Sequence, residues 1–261
     1  MTTQAATSTL VAPESRSTLA RIGILAYGVT CYLLGVSGLM ALILACLGVL
    51  PFTGGVVELS STGAAVAFNL AFILLFGVQH AIMARPAFKE RWTRIIPEPM
   101  ERSTFVVLAG GIMGAAIWLW QPLDAVVWSV APGTAAVAIT VLGALGWAYM
   151  FTASFAIDHF ELFGLAQVWR AFRGQEKPQV NFKQRLHYAF DRHPLMTGIL
   201  FGLWATPNMT LDRFILAAGF TFYIVIGGAI EERTLVQLHG DGYRNYRSQV
   251  GALVPLPGKR G

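Results

Sequence analysis

Charged side chains are scarce in this chain. Only 13% of its 261 residues are Asp, Glu, Lys or Arg, whereas 55% are hydrophobic, and the mean hydropathy is +0.56. Soluble globular domains carry about 25% charged residues, so this composition excludes an ordinary soluble domain. The chain is therefore predicted to be an integral membrane protein whose apolar runs cross the bilayer as helices.

Cysteine is also rare, since Cys31 and Cys46 are the only two. They lie 15 residues apart in one predicted helix, which separates them by about 22 Å and excludes an intrachain disulfide. The sequence contains no CxxC and no Cys/His spacing of the kind that binds zinc or iron–sulfur clusters. No metal site is predicted. An apolar signal-peptide core is absent before Leu19 as well, and residues 1–18 are interpreted as a disordered cytosolic tail.

Long apolar runs predict an all-α fold, a polytopic membrane helical bundle. The spanning helices are predicted near 21–50, 64–84, 103–120 and 134–157, followed by a C-terminal hairpin with arms at 195–206 and 211–230. Residues 19–261 then form a single membrane domain. The first hairpin arm has 12 residues, about 18 Å, which is too short for a hydrocarbon core of about 30 Å. It is either re-entrant or part of a helix that starts near residue 186.

Basic residues are distributed very unevenly along the chain. If the N-terminus lies in the cytosol, all of the 19 lysines and arginines except Arg213 fall on the cytosolic side. This is the positive-inside asymmetry of a multispanning protein. The net charge of +5 therefore indicates orientation and contact with anionic membrane lipids, and no nucleic-acid partner is predicted.

The C-terminal part of the chain carries an ordered set of polar motifs around the hairpin. The set is Arg192-His193-Pro194, Glu231-Glu232 and Tyr243-x-x-Tyr246. It resembles the isoprenylcysteine carboxyl methyltransferase group of integral membrane methyltransferases, and related patterns occur in bacterial phospholipid N-methyltransferases. Within this group, the stretches from His80 to Lys89 and from Asp158 to Trp169 are most similar to the methanethiol S-methyltransferases. The resemblance covers residues 65–257.

This resemblance implies a cytosol-facing pocket for S-adenosyl-L-methionine, formed mainly by residues 158–257, in a bacterial inner membrane protein. The ligand offers a carboxylate for an arginine, an ammonium for a glutamate, and an adenine and a sulfonium for aromatic faces. No glycine-rich Rossmann fingerprint is present, so the fold would be a non-Rossmann methyltransferase. The implied cofactor-binding residues are Gln167, Tyr188, Arg192, His193, Pro194, Gly198, Glu231, Glu232, Tyr243 and Tyr246.

The resemblance to the thiol enzymes further implies a small thiol substrate, methanethiol, converted to dimethyl sulfide with S-adenosyl-L-homocysteine as the other product. A thiol must lose its proton before it attacks, because the thiolate is the reactive species. Three side chains at the cytosolic level are candidate bases: His80, His159 and Glu161. We also expect Asp158 and Glu161 to share a helical face, because they are three residues apart.

Several alternatives remain open at the level of sequence. Arg192 and the Glu231-Glu232 pair would also be explained by a salt bridge across the mouth of the hairpin, and His80 by a position among the lipid headgroups. The acceptor would alternatively be a lipid amine or a prenylcysteine carboxylate. A non-enzymatic membrane subunit or a transporter is a further alternative. A transporter is disfavoured because the ionisable groups gather at one membrane face instead of the midplane.

Overall fold

The structure is a computed structural model that describes residues 17–54, 56–176 and 186–253. Most of the predicted N-terminal tail therefore lies outside the described residues. The helices are α1 (Thr18–Cys46), α2 (Thr62–Met83), α3 (Pro86–Trp92), α4 (Glu101–Leu119), α5 (Thr134–Ile157), α6 (His159–Leu162), α7 (Leu165–Arg173), α8 (Pro194–Trp204) and α9 (Leu211–Gln249). Two short strands, β1 (Val126–Ser129) and β2 (Asn208–Thr210), and two 3-10 turns, Glu98–Met100 and Leu186–Ala189, complete the described part.

Five helices are long and apolar enough to cross a membrane: α1, α2, α4, α5 and α9. The prediction of an all-α polytopic membrane bundle is thus confirmed, with the four predicted spans as α1, α2, α4 and α5. The second hairpin arm is α9, which extends far beyond the predicted residue 230 and is interrupted by non-helical backbone at Gly240. The first arm is α8, whose 11 residues measure about 16 Å.

Glycines allow two pairs of helices to approach closely. The Gly110-x-x-x-Gly114 spacing of α4 packs against α1, where a Cβ added to Gly114 would lie 3.1 Å from the Cα atom of Gly38. In the same way α8 packs against α5, where a Cβ added to Gly198 would lie 2.6 Å from the carbonyl oxygen of Gly146. Small residues permit such close approach of helix backbones in membranes.

The end of the bundle that joins α1 to α2 is fixed by polar contacts. Asn69 of α2 exchanges two hydrogen bonds with the backbone of Gln121, just after α4, at 2.8 and 2.9 Å. Arg213 donates to the carbonyl oxygen of Cys46 at 2.9 Å. Strands β1 and β2 pair antiparallel at this end, an element that the all-α prediction did not contain.

The opposite end carries α3, α6, α7, the 186–193 segment and the last turns of α9. Here one prediction is wrong: Asp158 and Glu161 do not share a helical face. Asp158 precedes α6 and caps it, because its carboxylate accepts a hydrogen bond from the Glu161 backbone N–H at 3.1 Å. The first hairpin arm is not part of a helix that starts near residue 186, because Leu186–Ala189 forms a separate 3-10 turn and α8 begins at Pro194.

Candidate active site

An ion-pair cluster joins the beginning of α8 to α9. Arg192 Nη2 lies 3.1 Å and His193 Nε2 3.2 Å from the same carboxylate oxygen of Glu232. Arg247 approaches the other oxygen of Glu232 at 3.8 Å. The Arg192 and Glu232 side chains are only 10% and 15% exposed. The alternative explanation from the sequence, a salt bridge between Arg192 and the Glu231-Glu232 pair, is therefore present, and Glu232 makes it.

This cluster contains a carboxylate and an N–H donor that its internal contacts leave available to a ligand. Glu231 is 51% exposed and its carboxylate lies 3.9 Å from His193 Nδ1. Arg192 Nε is buried and has no hydrogen-bond partner within the described parts of the chain. A buried donor without a partner is costly and is usually explained by an unseen ligand or water. An exposed carboxylate next to His193 and an arginine with a spare donor are groups of the kind that bind a zwitterionic amino-acid moiety.

Asp191 anchors the Arg-His-Pro segment, a role that sequence reasoning missed. Its side chain is fully buried and accepts hydrogen bonds from the His193 backbone N–H at 3.0 Å and from the Tyr149 hydroxyl at 3.4 Å. Burial raises the pKa of the Asp191 carboxyl. The backbone N–H of Arg192 also donates to the Gly251 carbonyl at 2.9 Å. The segment is thus fixed by α5 and by the chain after α9. In the sequence, the aspartate directly before the Arg-His-Pro motif was the signal that could have indicated this anchor.

The three predicted aromatic residues lie together near this anchor. The Tyr246 hydroxyl donates to the Tyr188 carbonyl at 2.6 Å, and the rings of Tyr243 and Tyr246 are 5.8 Å apart. Tyr243 and Tyr246 are buried, so they pack the end of α9 against the 186–193 segment. Tyr188 is partly exposed, and burial raises the pKa of its hydroxyl. Of the three, Tyr188 retains a face that a ligand can reach.

Pro194 and Gly198 position α8 itself. Pro194 is buried at the first turn of the helix, where its missing N–H costs nothing and its fixed φ favours the helix. Gly198 faces Gly146 and Met150 of α5. Close packing against a neighbouring helix accounts for the glycine at this position.

The carboxylate of Glu161, a candidate base, is occupied by hydrogen bonds to neighbouring side chains. Its two carboxylate oxygens accept from Arg170 at 2.7 and 3.0 Å. Gln167 Nε2 donates to the same carboxylate at 3.1 Å. These contacts connect α6 to α7, which continues to Arg173.

His159 is likewise enclosed by partners. Its Nε2 lies 2.9 Å from the Tyr32 hydroxyl and its Nδ1 lies 2.7 Å from the Ser154 hydroxyl. Phe155 stacks on the imidazole with ring centroids 4.2 Å apart. The residue is 2% exposed, and this burial lowers the pKa of the imidazole. Both ring nitrogens are occupied, so His159 joins α1, α5 and α6.

His80 differs from the other two candidates because one ring nitrogen is available. Its Nδ1 is buried and makes no hydrogen bond to any residue that the structure describes. The rings of Phe105, Phe76 and Tyr223 surround the imidazole at centroid distances of 4.7, 5.3 and 6.0 Å. The neighbouring Gln79 also has a buried Oε1 atom without a partner in the described part.

The chain is similar over most of its length to proteins named methanethiol S-methyltransferase. It is 44% identical to the Mycobacterium tuberculosis protein over 195 residues, 75% of this chain and 80% of that protein. It is 41% identical to methanethiol S-methyltransferase 1 of Bradyrhizobium diazoefficiens, covering 88% and 81% of the two chains. With the protein of Crocosphaera subtropica the identity is 35%, covering 94% and 97%.

The chain belongs to the methanethiol S-methyltransferase family. The family resemblance predicted from the C-terminal motifs is therefore confirmed, and so is the enzyme class, a methyltransferase. No family model matches the chain, and no solved structure matches it. The end of the bundle that carries Arg192 and His80 is the candidate active site, because buried polar atoms there lack partners in the described residues.

Proposed function

We propose that this protein transfers the methyl group of S-adenosyl-L-methionine to methanethiol, giving dimethyl sulfide and S-adenosyl-L-homocysteine. The observation that carries this proposal is the 44% identity to a methanethiol S-methyltransferase over 75% of the chain. When bound, the cofactor supplies an electrophilic sulfonium methyl: the thiol sulfur bonds to it as the sulfonium C–S bond breaks, leaving that electron pair on the sulfur of S-adenosyl-L-homocysteine.

Arg192, Glu231 and the residues around them would hold the cofactor. The N–H at Nε of Arg192, which has no partner in the described residues, suits the carboxylate of the cofactor. The exposed carboxylate of Glu231 suits the ammonium group of the cofactor. Glu232 orients Arg192 and His193 through its two short contacts. The partly exposed ring of Tyr188 would supply a face for adenine. Tyr246 holds Tyr188 through its hydrogen bond to the Tyr188 carbonyl, and the Tyr243 ring packs beside it. Gln167 instead donates to Glu161 between α6 and α7.

His80 would act as the base. Its buried Nδ1 is free to accept a proton from the thiol in the tautomer that carries its own proton on Nε2. Arg102 lies over the ring of Phe105 at 4.6 Å, and its positive charge favours a thiolate nearby. His159 and Glu161 are each held by several partners. The chain contributes alignment and a dry site, which are the main needs of a displacement reaction.

We propose further that this end of the bundle faces the cytosol of a bacterial inner membrane. Within the described residues, every lysine and arginine except Arg213 lies toward it along the chain, in agreement with the positive-inside rule. In this arrangement α8 and the residues after it lead from the cytosolic side to the end that carries β2 and Arg213, and α9 returns to the cytosolic side as the fifth long span. The basic surface around α3 and α7 would contact anionic lipid headgroups.

The acceptor class is tested with purified full-length protein in lipid nanodiscs and labelled S-adenosylmethionine. Methanethiol, phosphatidylethanolamine and farnesylcysteine are offered separately, and nanodiscs without the protein serve as the blank. We expect transfer to methanethiol alone. Transfer to either lipid acceptor and none to methanethiol would overturn the thiol assignment.

A further inference from the structure

Helices α2 and α9 are tightly packed until they reach His80 and Tyr223. A Cβ added to Gly219 of α9 would lie 2.7 Å from Cδ1 of Ile73, and one added to Gly77 of α2 would lie 3.2 Å from the Tyr223 ring. The Tyr223 ring also meets the His80 ring edge-on at 6.0 Å. Tyr223 therefore marks the place where the close contact of the two helices ends.

One turn beyond Tyr223, α9 passes the beginning of α8. A Cβ added to Gly228 would lie 3.5 Å from the sulfur of Met196. Further along, Glu231 lies 3.9 Å from His193 Nδ1. This stretch of α9 is thus bordered by α2 on the His80 side and by α8 on the cofactor side.

Gly227 lies midway between these two borders, on the helix face that it shares with Tyr223 and Glu231. The three residues are spaced at i, i+4 and i+8, which places them in one row. A Cβ added to Gly227 would have no heavy atom of the described chain within 4 Å. Gly227 is nevertheless only partly exposed. Gly111 of α4 has equally open surroundings but is exposed. The space over Gly227 is therefore sheltered, which the space over Gly111 is not.

We propose that this sheltered space over Gly227 is the acceptor subsite and that it takes a thiol of one or two carbons. The proposal rests on the proposed methyltransferase function. Tyr223 and Glu231 are about 12 Å apart along the helix axis, since each residue rises about 1.5 Å. A row of this length has room for the reacting end of the cofactor beside Glu231 and a small acceptor beside His80.

Two polar atoms of α2, near the place where the His80 ring meets Tyr223, suit a thiol. His80 Nδ1 and Gln79 Oε1 are both buried without partners in the described residues, and buried polar atoms normally have one. The S–H group donates its proton to His80 Nδ1, and the sulfur, held over Gly227, then forms its new bond to the sulfonium methyl carbon. The sulfonium C–S bond breaks, its electron pair stays with the departing sulfur, and the charges balance because the sulfonium charge is replaced by a protonated imidazole. The apolar rings of Phe76 and Phe105 limit the length of the acceptor's tail.

The test fills the space with side chains of increasing size. Gly227→Ala and Gly227→Val are compared with Gly111→Ala and Gly111→Val, which add the same atoms to an exposed helix face. An added Cβ meets no described heavy atom within 4 Å at either position, so the melting temperatures of the alanine variants should not fall, and those of the valine variants are measured alongside. We expect Gly227→Ala to lower kcat/KM for methanethiol about tenfold, and Gly227→Val by about 10²-fold or more, because small displacements of reacting groups are costly. Affinity for S-adenosylmethionine should stay within about twofold, and the Gly111 variants should match wild type.

Chain length gives a second readout. Wild type should favour methanethiol over ethanethiol and propanethiol, and Gly227→Ala should make this preference steeper. If wild type methylates methanethiol but Gly227→Val does so equally well, the subsite assignment is wrong and the function stands. If Gly227→Val loses affinity for S-adenosylmethionine, the space belongs to the cofactor, and the assignment is also wrong. Failure of wild type to methylate methanethiol would overturn the proposed function itself.

Discussion

The guanidinium of Arg192 lies 3.1 Å from the carboxylate of Glu232, so the residue pair joins the entry of α8 to α9. Both side chains are largely buried. Removing one partner of such a buried pair strongly destabilises the folded protein, because the other charge is left unpaired. His193 shares the same carboxylate oxygen. Glu232 therefore fixes the direction of two cofactor-binding candidates and leaves Glu231 free to meet a ligand.

Removing the charges of this cluster should weaken cofactor binding. We expect Arg192→Ala and Glu231→Ala each to lower affinity for S-adenosylmethionine by about 10- to 100-fold, because hydrogen bonds to charged groups are worth about 1.5–3 kcal/mol. Isothermal titration calorimetry on detergent-purified protein measures the effect.

The matched control is Arg244→Ala, which breaks an exposed ion pair with Asp241 on the same helix. Exposed pairs of this kind contribute little, so cofactor affinity and melting temperature should stay near wild type. Unchanged affinity in both the Arg192 and the Glu231 variants would remove the proposed cofactor site.

Replacing the base should slow turnover and spare cofactor binding. His80→Gln is expected to lower kcat for methanethiol at neutral pH by about 10²-fold or more. The loss should shrink at high pH, where unassisted thiolate becomes plentiful. Stopped assays across a pH series measure it, with calorimetry as the check on cofactor affinity. A His80→Gln enzyme with wild-type kcat at neutral pH would exclude His80 as the base.

His159 should contribute a pH-dependent part of the stability. Burial holds the pKa of this imidazole below its ordinary value of 6.5, so the unfolded chain binds a proton at a pH where the folded chain does not. Stability from this group is therefore present above pH 6.5 and is lost as the pH falls below it. Melting temperatures of wild type and His159→Phe, recorded at pH 7.5 and at lower values, should show a smaller decline on acidification in the variant. An identical decline in both would contradict this account.

Membrane orientation is checked by accessibility labelling in a variant whose two native cysteines are replaced. Single cysteines at Glu90, between α2 and α4, and at Glu58, between α1 and α2, are both exposed positions. In intact cells an impermeant maleimide should label the residue 58 variant only. Labelling of the residue 90 variant from outside would reverse the proposed topology.

The long helices were predictable from the sequence because hydropathy over about 20 residues is a strong local signal. Residues 134–157 were predicted and observed as α5 without any shift. Local signals failed where the answer depended on distant partners. Nothing near Gly198 indicates that its neighbour is Gly146 of α5, and a short polar stretch such as 158–173 does not reveal how α6 and α7 divide it.

The three candidate bases could not be ranked from sequence for the same reason. His159 is bonded to Tyr32 of α1, far away along the chain, whereas Glu161 is bonded to Arg170. Only the fold shows that His80 keeps a nitrogen without a partner in the described residues. Asp191 was visible directly before the Arg-His-Pro motif, but its role depends on Tyr149 and on complete burial.

Transfer of an isotopically marked methyl group tests the central claim most directly. Purified full-length protein is given methanethiol and S-adenosylmethionine with a deuterated methyl group, and the headspace is followed by mass spectrometry. The account predicts dimethyl sulfide with one deuterated and one ordinary methyl group, formed in step with S-adenosylhomocysteine and lost in Arg192→Ala. Formation of S-adenosylhomocysteine without deuterated dimethyl sulfide, together with a deuterated lipid, would contradict it.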